Sequence, residues 1–310
     1  MSLPKVSVIV PVYKVPLEYL RECLGSLAAQ TLQESEFIIV SDGAPKEECS
    51  ICDEYATKDI RFKFFKREHA GVSTTRNYGI AQALGEYITF VDADDWIDKS
   101  TLQEIYTFVK KNNSDILTMD FYETKNKIDT LRSQAPHSVD PLCILHQILI
   151  GELFGGMPIR IIKKDFYDKH PITFLESLGY CEDVLFWAKI LQERPKIDYL
   201  NKAFYHYVQD NNKSITHDFT VDKYRERKKF IQVLKDILPK TFERDINMAA
   251  FNVKMEAMRN KRLTPADYTS FEKTSLSTLF RSNQTWVTKI YLLLHTILLT
   301  IFNKTYKEYL

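Results

Sequence analysis

The fold is decided by the stretch Tyr87-Ile88-Thr89-Phe90-Val91-Asp92-Ala93-Asp94-Asp95. Its first five residues are β-branched or aromatic, which predicts a strand buried on both faces. Three carboxylates then follow within the last four positions. Acidic side chains this close repel one another unless a cation neutralises them, and hard divalent ions prefer oxygen ligands. The stretch therefore predicts a buried strand that ends at a cation site; a surface turn that caps the next helix is the structural alternative.

Strand and helix patterns alternate on both sides of this stretch. Strands are expected over residues 5–10, 37–40, 62–65, 87–91 and 116–121, and helices over 17–27, 74–83 and 99–109. Strands separated by helices of this length predict a mainly parallel, doubly wound α/β sheet.

Polar or glycine-containing turns follow three of these strands. They are Pro11-Val12-Tyr13, Ser41-Asp42-Gly43 and Asp92-Ala93-Asp94-Asp95. Because open α/β sheets bind ligands beyond the carboxyl ends of their strands, we expect the three turns to form one site.

The second half of the chain is organised differently. It shows a polar loop over 126–141, a helix over 141–150, strands over 159–163 and 196–208 around a helix that begins near Asp183, and helices from 219 onward. We therefore expect a catalytic domain over residues 1–218, divided into a 1–125 part and a 126–218 part. A helical region would follow over 219–310.

Composition narrows the classes of function. The net charge of +1 argues against a nucleic-acid partner. Five cysteines in a chain this long favour a reducing compartment, and we interpret Cys49 and Cys52 as a structural pair on one helix. The first residues run directly into a strand pattern, so no signal peptide is expected. The expected location is the cytoplasm, with the inner face of the membrane as an open alternative.

The apolar stretch from Trp286 to Phe302 bears on that alternative. Its apolar runs are too short for a helix that spans a bilayer. Packing against the catalytic domain is one interpretation. The other is a helix in the membrane interface, anchored by Trp286 and the flanking Arg281, Lys304 and Lys307. The basic run 225–229 is either a solvated helix face or a site attracted to anionic lipid.

Four blocks of the sequence resemble the family 2 glycosyltransferases of the GT-A fold. The blocks are Val6–Tyr13, Glu36–Gly43, His69–Ile80 and Tyr87–Trp96. Their order and spacing match the family strongly over residues 5 to about 125 and fairly to about 216. The resemblance implies a Rossmann-like central sheet, mostly parallel and flanked by helices, with a C-terminal helical extension.

The resemblance also implies roles on the donor side. Pro11, Val12 and Tyr13 would line the nucleotide pocket, and Asp42 would accept a hydrogen bond from a uracil N–H. Arg76 would donate to base or phosphate, and Ala93 would lie beside the nucleotide. Asp92 would contact ribose or metal, and Asp94 would ligate Mn²⁺ or Mg²⁺. Many relatives carry two consecutive acids where this chain has Ser41 and Asp42. That departure weakens the assignment of uridine.

On the acceptor side, Gly179–Phe186 resembles the family's acid-pair motif. Asp183 would be the general base, with Glu182 as second choice; helix capping is the alternative. His206 or Lys213 would replace an arginine that reaches the diphosphate or the metal in relatives. Trp96 and Trp187 could stack on a sugar, although core packing suits Trp187 better.

Together these roles imply inverting transfer of a sugar from a nucleotide diphosphate donor, expected to be a UDP-sugar. The acceptor would be a hydroxyl of a glycan or lipid-linked saccharide in bacterial capsule, exopolysaccharide or lipopolysaccharide synthesis. A nicotinamide-dependent oxidoreductase is excluded because residues 11–16 lack its glycine fingerprint. A sugar-nucleotide nucleotidyltransferase and a catalytically inactive binding protein remain as alternatives.

Overall fold

The computed structural model describes residues 3–211 and 220–260, and a nine-stranded sheet is its central element. The strands are β1 (Val6–Val12), β2 (Ser35–Asp42), β3 (Phe62–Arg67), β4 (Tyr87–Phe90), β5 (Trp96–Ile97), β6 (Ile116–Lys125), β7 (Ile128–Arg132), β8 (Arg160–Lys163) and β9 (Ile197–Val208). The α-helices of the described residues are α1 (Leu17–Ala28), α2 (Lys46–Lys58), α3 (Val72–Gln82), α4 (Thr101–Asn112), α5 (Pro141–Ile150), α6 (Lys164–Lys169), α7 (Glu182–Ile190), α8 (Val221–Ile237) and α9 (Glu243–Arg259).

The N-terminal half of the sheet is parallel. Its strand order is β3-β2-β1-β4, and the three pairings within it are all parallel. All eight residues of β2 are buried, as expected of a strand covered on both faces. Val12 pairs with Ser41, so β1 and β2 end at the same level. The carboxyl ends of β2, β1 and β4 therefore lie side by side.

The C-terminal half of the sheet is mixed. Strand β8 is antiparallel to β4 and to β6, β9 is parallel to β6, and β5 is antiparallel to β9. The predicted α/β architecture is confirmed, and the run of consecutive parallel pairings is that of the first four strands, with β6 and β9 as a further parallel pair. The direction of a strand depends on the path of its connection, which a short apolar run does not encode.

One strand lies where a loop was expected. Residues 128–132 form β7, which pairs antiparallel with β6. All five of its residues are exposed, Ile128 and Leu131 among them, so no buried face marks it as a strand. The ladder to β6 supplies its backbone hydrogen bonds.

Helix α3 approaches the sheet closely. A Cβ atom added at Gly79 would lie 2.5 Å from Cγ2 of Ile9, which is on β1. This contact requires glycine. The N-terminal end of α3 lies beside the carboxyl edge of the parallel strands, because the N–H of Gly71 donates to Asp42 at the end of β2. Residues from α3 can therefore reach the acids that follow β4.

The chain divides into two compact units, residues 1–218 and 219–310. In the second unit, the buried Arg227 of α8 forms an ion pair with Glu256 of α9, so the basic run 225–229 is not wholly a solvated face. None of the helices within residues 3–211 and 220–260 is long and apolar enough to cross a bilayer. The stretch Trp286–Phe302 and Lys213 lie outside the described residues.

Candidate active site

The predicted donor-side residues lie at the carboxyl edge of β2, β1 and β4. The side chains of Val12 and Ala93 belong to the hydrophobic core, with exposed fractions of 0% and 4%. The Tyr13 ring is partly exposed and stacks on His69 with a centroid separation of 4.2 Å and an interplanar angle of 13°.

The buried carboxylate of Asp42 holds the segment that leads into α3. Its Oδ1 accepts from the backbone N–H groups of Ala70 and Gly71, at 2.7 and 3.2 Å. Its Oδ2 accepts from Gly71 N and lies 3.0 Å from Nδ1 of His69. These contacts occupy most of the carboxylate's lone pairs. The contact between Asp42 and a uracil N–H stays a prediction.

The three acids that follow β4 occupy different environments. Asp95 is buried and accepts from the hydroxyl of Tyr205 and, at 2.8 Å, from the backbone N–H of Val208. Burial raises its pKa well above the ordinary value, and Asp94 and Asp92 add to the rise. Asp95 therefore ties the acidic turn to β9 and is not available to a ligand.

Asp92 and Asp94 are the two acids left for a cation. Burial, followed by the charge of Asp92, raises the pKa of Asp94, and its Oδ2 accepts from Nδ2 of Asn211 at 2.8 Å. Two like-charged carboxylates in mutual electrostatic range are stabilised by a divalent ion. Within residues 3–211 and 220–260, no group of three or more His, Cys, Asp or Glu side chains is arranged to hold a metal. A bound ion would therefore need further ligands from substrate phosphates or water.

His206 lies in an aromatic stack. Its ring lies 3.4 Å from that of Trp96 and 4.9 Å from that of Tyr122, measured between centroids. Its Nδ1 is 3.3 Å from Asp129 and its Nε2 is 3.5 Å from Asp98. Its role as a metal ligand stays a prediction. The stack also covers one face of Trp96, which was a candidate for sugar stacking.

Arg76 joins the two halves of the predicted site. Its guanidinium is buried, and Nη2 donates to Oδ1 of Asp92 at 3.2 Å. Its Nη1 donates to Glu182 at 2.7 Å and to Asp183 at 2.6 Å. The structure places this arginine between the acids that follow β4 and the acid pair that opens α7.

Charge in this cluster is unbalanced, with three carboxylates around one guanidinium. Burial would lower the pKa of Arg76, but Asp183, Asp92 and Glu182 outweigh it and keep the pKa above its ordinary value. Burial raises the pKa of Asp183 to about 8; Arg76 opposes this rise, and Glu182 and Asp92 add to it. A carboxylate with a pKa near neutrality suits general-base chemistry.

Backbone strain marks the residue before the acid pair. Cys181 has a φ of 63°, in the left-handed region that a residue with a Cβ rarely adopts. Glu182 and Asp183 then form the first turn of α7, where the helix dipole favours negative charge. Trp187 on the same helix is fully buried, which confirms the expected core role.

Two residues at the site were missed by sequence reasoning. His69 lies two residues beyond the end of β3, so its position at the sheet edge was accessible from the strand pattern. Arg160 is buried beside the acid-pair helix, with its guanidinium 4.9 Å from the Trp187 ring centroid. A single arginine at the start of a strand carries no local pattern that indicates such a contact.

The family model for "Glycosyl transferase family 2" matches residues 7–172. The uncharacterized glycosyltransferase EpsJ of Bacillus subtilis is 30% identical over 219 residues, which cover 68% of this chain and 62% of EpsJ. The poly(ribitol-phosphate) beta-N-acetylglucosaminyltransferase TarS of Staphylococcus aureus is 29% identical over 207 residues, 66% of this chain and 35% of TarS. The match therefore spans less than two thirds of either relative.

Solved structures show the same fold. TarS 1–349 in complex with UDP-GlcNAc gives a TM-score of 0.65 at 23% identity, over 89% of this chain and 79% of that chain. The mannosyltransferase PcManGT of Pyrobaculum calidifontis, in complex with GDP-Man and Mn²⁺, gives a TM-score of 0.58 at 14% identity, over 96% of this chain and 81% of that chain. The predicted GT-A architecture is confirmed by these neighbours. Since the family model covers more than half of the residues, the chain belongs to glycosyl transferase family 2.

Proposed function

We propose that the chain transfers a sugar from a nucleoside diphosphate donor, a UDP-sugar, to a hydroxyl of a bacterial surface glycan or lipid-linked saccharide. The observation that carries this proposal is the Arg76 cluster, because one guanidinium bridges Asp92 on the donor side to Asp183 on the acceptor side. A donor sugar bound beside Asp92 would then lie next to an acceptor hydroxyl bound beside Asp183. The UDP-GlcNAc bound by TarS supports the choice of donor.

Asp183 would act as the general base. It would take the proton of the acceptor hydroxyl while that oxygen attacks the anomeric carbon and the bond to the nucleoside diphosphate breaks. Arg76 would hold Asp183 in place through Nη1, and the N–H of Met157 would hold its other oxygen at 3.2 Å. One base on one face of the sugar is consistent with inversion of configuration.

Asp92 and Asp94 would hold a divalent ion, Mn²⁺ or Mg²⁺, since their paired carboxylates fit a hard cation. When bound, the ion would offset negative charge on the departing diphosphate. PcManGT, solved with Mn²⁺, supports this choice. Tyr13, with His69 stacked on it, would form a wall of the base pocket, and the 219–310 region remains a candidate for membrane contact.

The test is a panel of UDP-, GDP-, CDP- and ADP-sugars, each with Mn²⁺ and a saccharide acceptor. We expect release of UDP from a UDP-sugar by the parent chain and by D53N, a surface variant whose acid forms an exposed ion pair with Lys66. The variant Asp183→Asn should still bind the donor but should no longer release UDP. Donor binding without release by the parent would favour the inactive binding protein, and absence of donor binding would overturn the proposal.

A further inference from the structure

Arg160 is a buried cation with an unusual set of partners. Its exposed fraction is 2%, and among residues 3–211 and 220–260 it forms no ion pair. Its Nη2 donates to the carbonyl of Phe154 at 2.8 Å, and its Nη1 donates to that of Gly156 at 3.1 Å. A buried charge without a paired carboxylate is costly, which calls for a reason beyond packing.

The two carbonyls belong to a turn that touches the predicted base. Met157, the next residue, donates its backbone N–H to Oδ2 of Asp183 at 3.2 Å. A Cβ atom added at Gly155 would lie 2.6 Å from Cγ2 of Val184, so the turn is pressed against the first turn of α7. Arg160 therefore clamps the segment 154–157 from one side while Asp183 accepts from it on the other.

The charge of Arg160 also acts on Asp183. Burial lowers the pKa of Arg160 to about 9, and the nearby Asp183 opposes this shift. The charged groups that face Asp183 are Arg76 from α3, Glu182 from α7, Asp92 after β4 and Arg160 from β8. Two cations thus oppose three carboxylates at this point, and Arg160 is the cation that does not contact Asp183 directly.

We propose that Arg160 is a positioning residue for the general base. It holds the 154–157 turn so that the Met157 N–H fixes the orientation of the Asp183 carboxylate, and its charge favours the ionised carboxylate. This inference rests on the proposed function. A neutral side chain in its place would leave the turn without its clamp and Asp183 with one cation fewer.

The test compares R160M and R160K with R61M. Arg61 is a control for loss of contacts to the backbone, because its guanidinium also donates to two carbonyls, those of Ala28 and Gln30, away from the site. Unlike Arg160, it also forms an ion pair with Asp59. We expect R160M to lower kcat by about 10–100-fold at an unchanged KM for the donor, because a displaced base loses its alignment. The acidic limb of kcat/KM should move to higher pH in R160M and return in R160K, which keeps the charge. R61M should match the parent in kcat and pH profile.

Hydrogen exchange of the Met157 amide provides a readout that does not depend on catalysis. R160M should lose protection there, and R61M should not. Parent-like kcat, pH profile and exchange in a folded R160M would overturn the inference, as would equal losses in R61M. If R160M fails to fold, the same measurements on R160K decide, because loss of the two-pronged contact should raise exchange at Met157. A parent chain without transfer from any donor would overturn the proposed function instead, and the exchange data would still decide whether Arg160 orders the turn.

Discussion

Nη1 of Arg76 lies 2.6 Å from Oδ1 of Asp183, although 107 positions separate the two residues in the chain. The same guanidinium contacts Glu182 and Asp92. Removing it would leave partly buried carboxylates without a counter-charge, a change that costs about 3–5 kcal/mol in buried pairs. We expect R76M to lower the free energy of unfolding by that amount, measured by urea denaturation.

Measured at a pH where Asp183 is ionised, the double variant R76M/D183N should recover part of the loss, because it removes a carboxylate that R76M leaves uncompensated. Arg21→Met is the control, since its ion pair with Glu54 is exposed and should be worth less than about 1 kcal/mol. Equal losses in the two single variants would contradict a special role for the buried cluster.

Activity should depend on pH through Asp183. Its pKa is raised to about 8, chiefly by burial, so the base becomes ionised only as the pH rises through that pKa. We expect kcat/KM to fall about tenfold per pH unit below that value, since kcat/KM reports groups of the free enzyme. Glu182→Gln removes a neighbouring negative charge and should move this acidic limb of the kcat/KM profile to lower pH. A limb that is unchanged in E182Q, or absent in the parent, would argue against Asp183 as the base.

Neighbouring acids should respond differently to the same substitution. Asp94→Asn removes a proposed metal ligand, and we expect it to lower metal-dependent turnover by about 100-fold or more. Asp95→Asn keeps the shape of a buried side chain that binds Tyr205 and Val208, so turnover should change by less than about tenfold. Turnover at saturating Mn²⁺ checks both variants. A larger loss of turnover in D95N than in D94N would contradict the assignment of Asp94, and not Asp95, as the metal ligand.

His69 should contribute to nucleotide affinity by holding Tyr13 and Asp42. Loss of an aromatic stack costs about 0.5–1.5 kcal/mol, so we expect His69→Ala to weaken UDP binding by roughly 2- to 12-fold. Isothermal titration with UDP measures this. His137→Ala, at an exposed position, is the control; unchanged affinity in H69A would remove His69 from the base pocket.

Two glycines in helix interiors should respond oppositely to alanine. A Cβ at Gly79 would lie 2.5 Å from Ile9 Cγ2, so Gly79→Ala should destabilise the fold by about 1–3 kcal/mol through overpacking. A Cβ at Gly25 meets only the Tyr55 hydroxyl, at 3.5 Å, so Gly25→Ala should stabilise α1 by about 0.5–1 kcal/mol. Thermal unfolding of both variants checks the difference in sign.

Sequence patterns predicted the parallel half of the sheet well. Local apolar runs encode β1 to β4, and α5 begins and ends where the pattern placed it, at Pro141 and Ile150. The same approach missed β7, whose side chains are all exposed, and the two-residue β5. The exposed residues of β7 show no alternation, and β5 is too short for its two apolar residues to form a pattern.

By itself, the sequence determined which residue types stand at the carboxyl ends of the strands, since strand patterns and the turns after them are local. The tertiary structure alone decided how those residues divide their roles. It buried Asp95 against Tyr205, placed Val12 in the core and set Arg76 between two acid groups. It also placed Arg160 behind the base through a turn. Burial and charge compensation arise from contacts between segments far apart in the chain, and no local pattern records them.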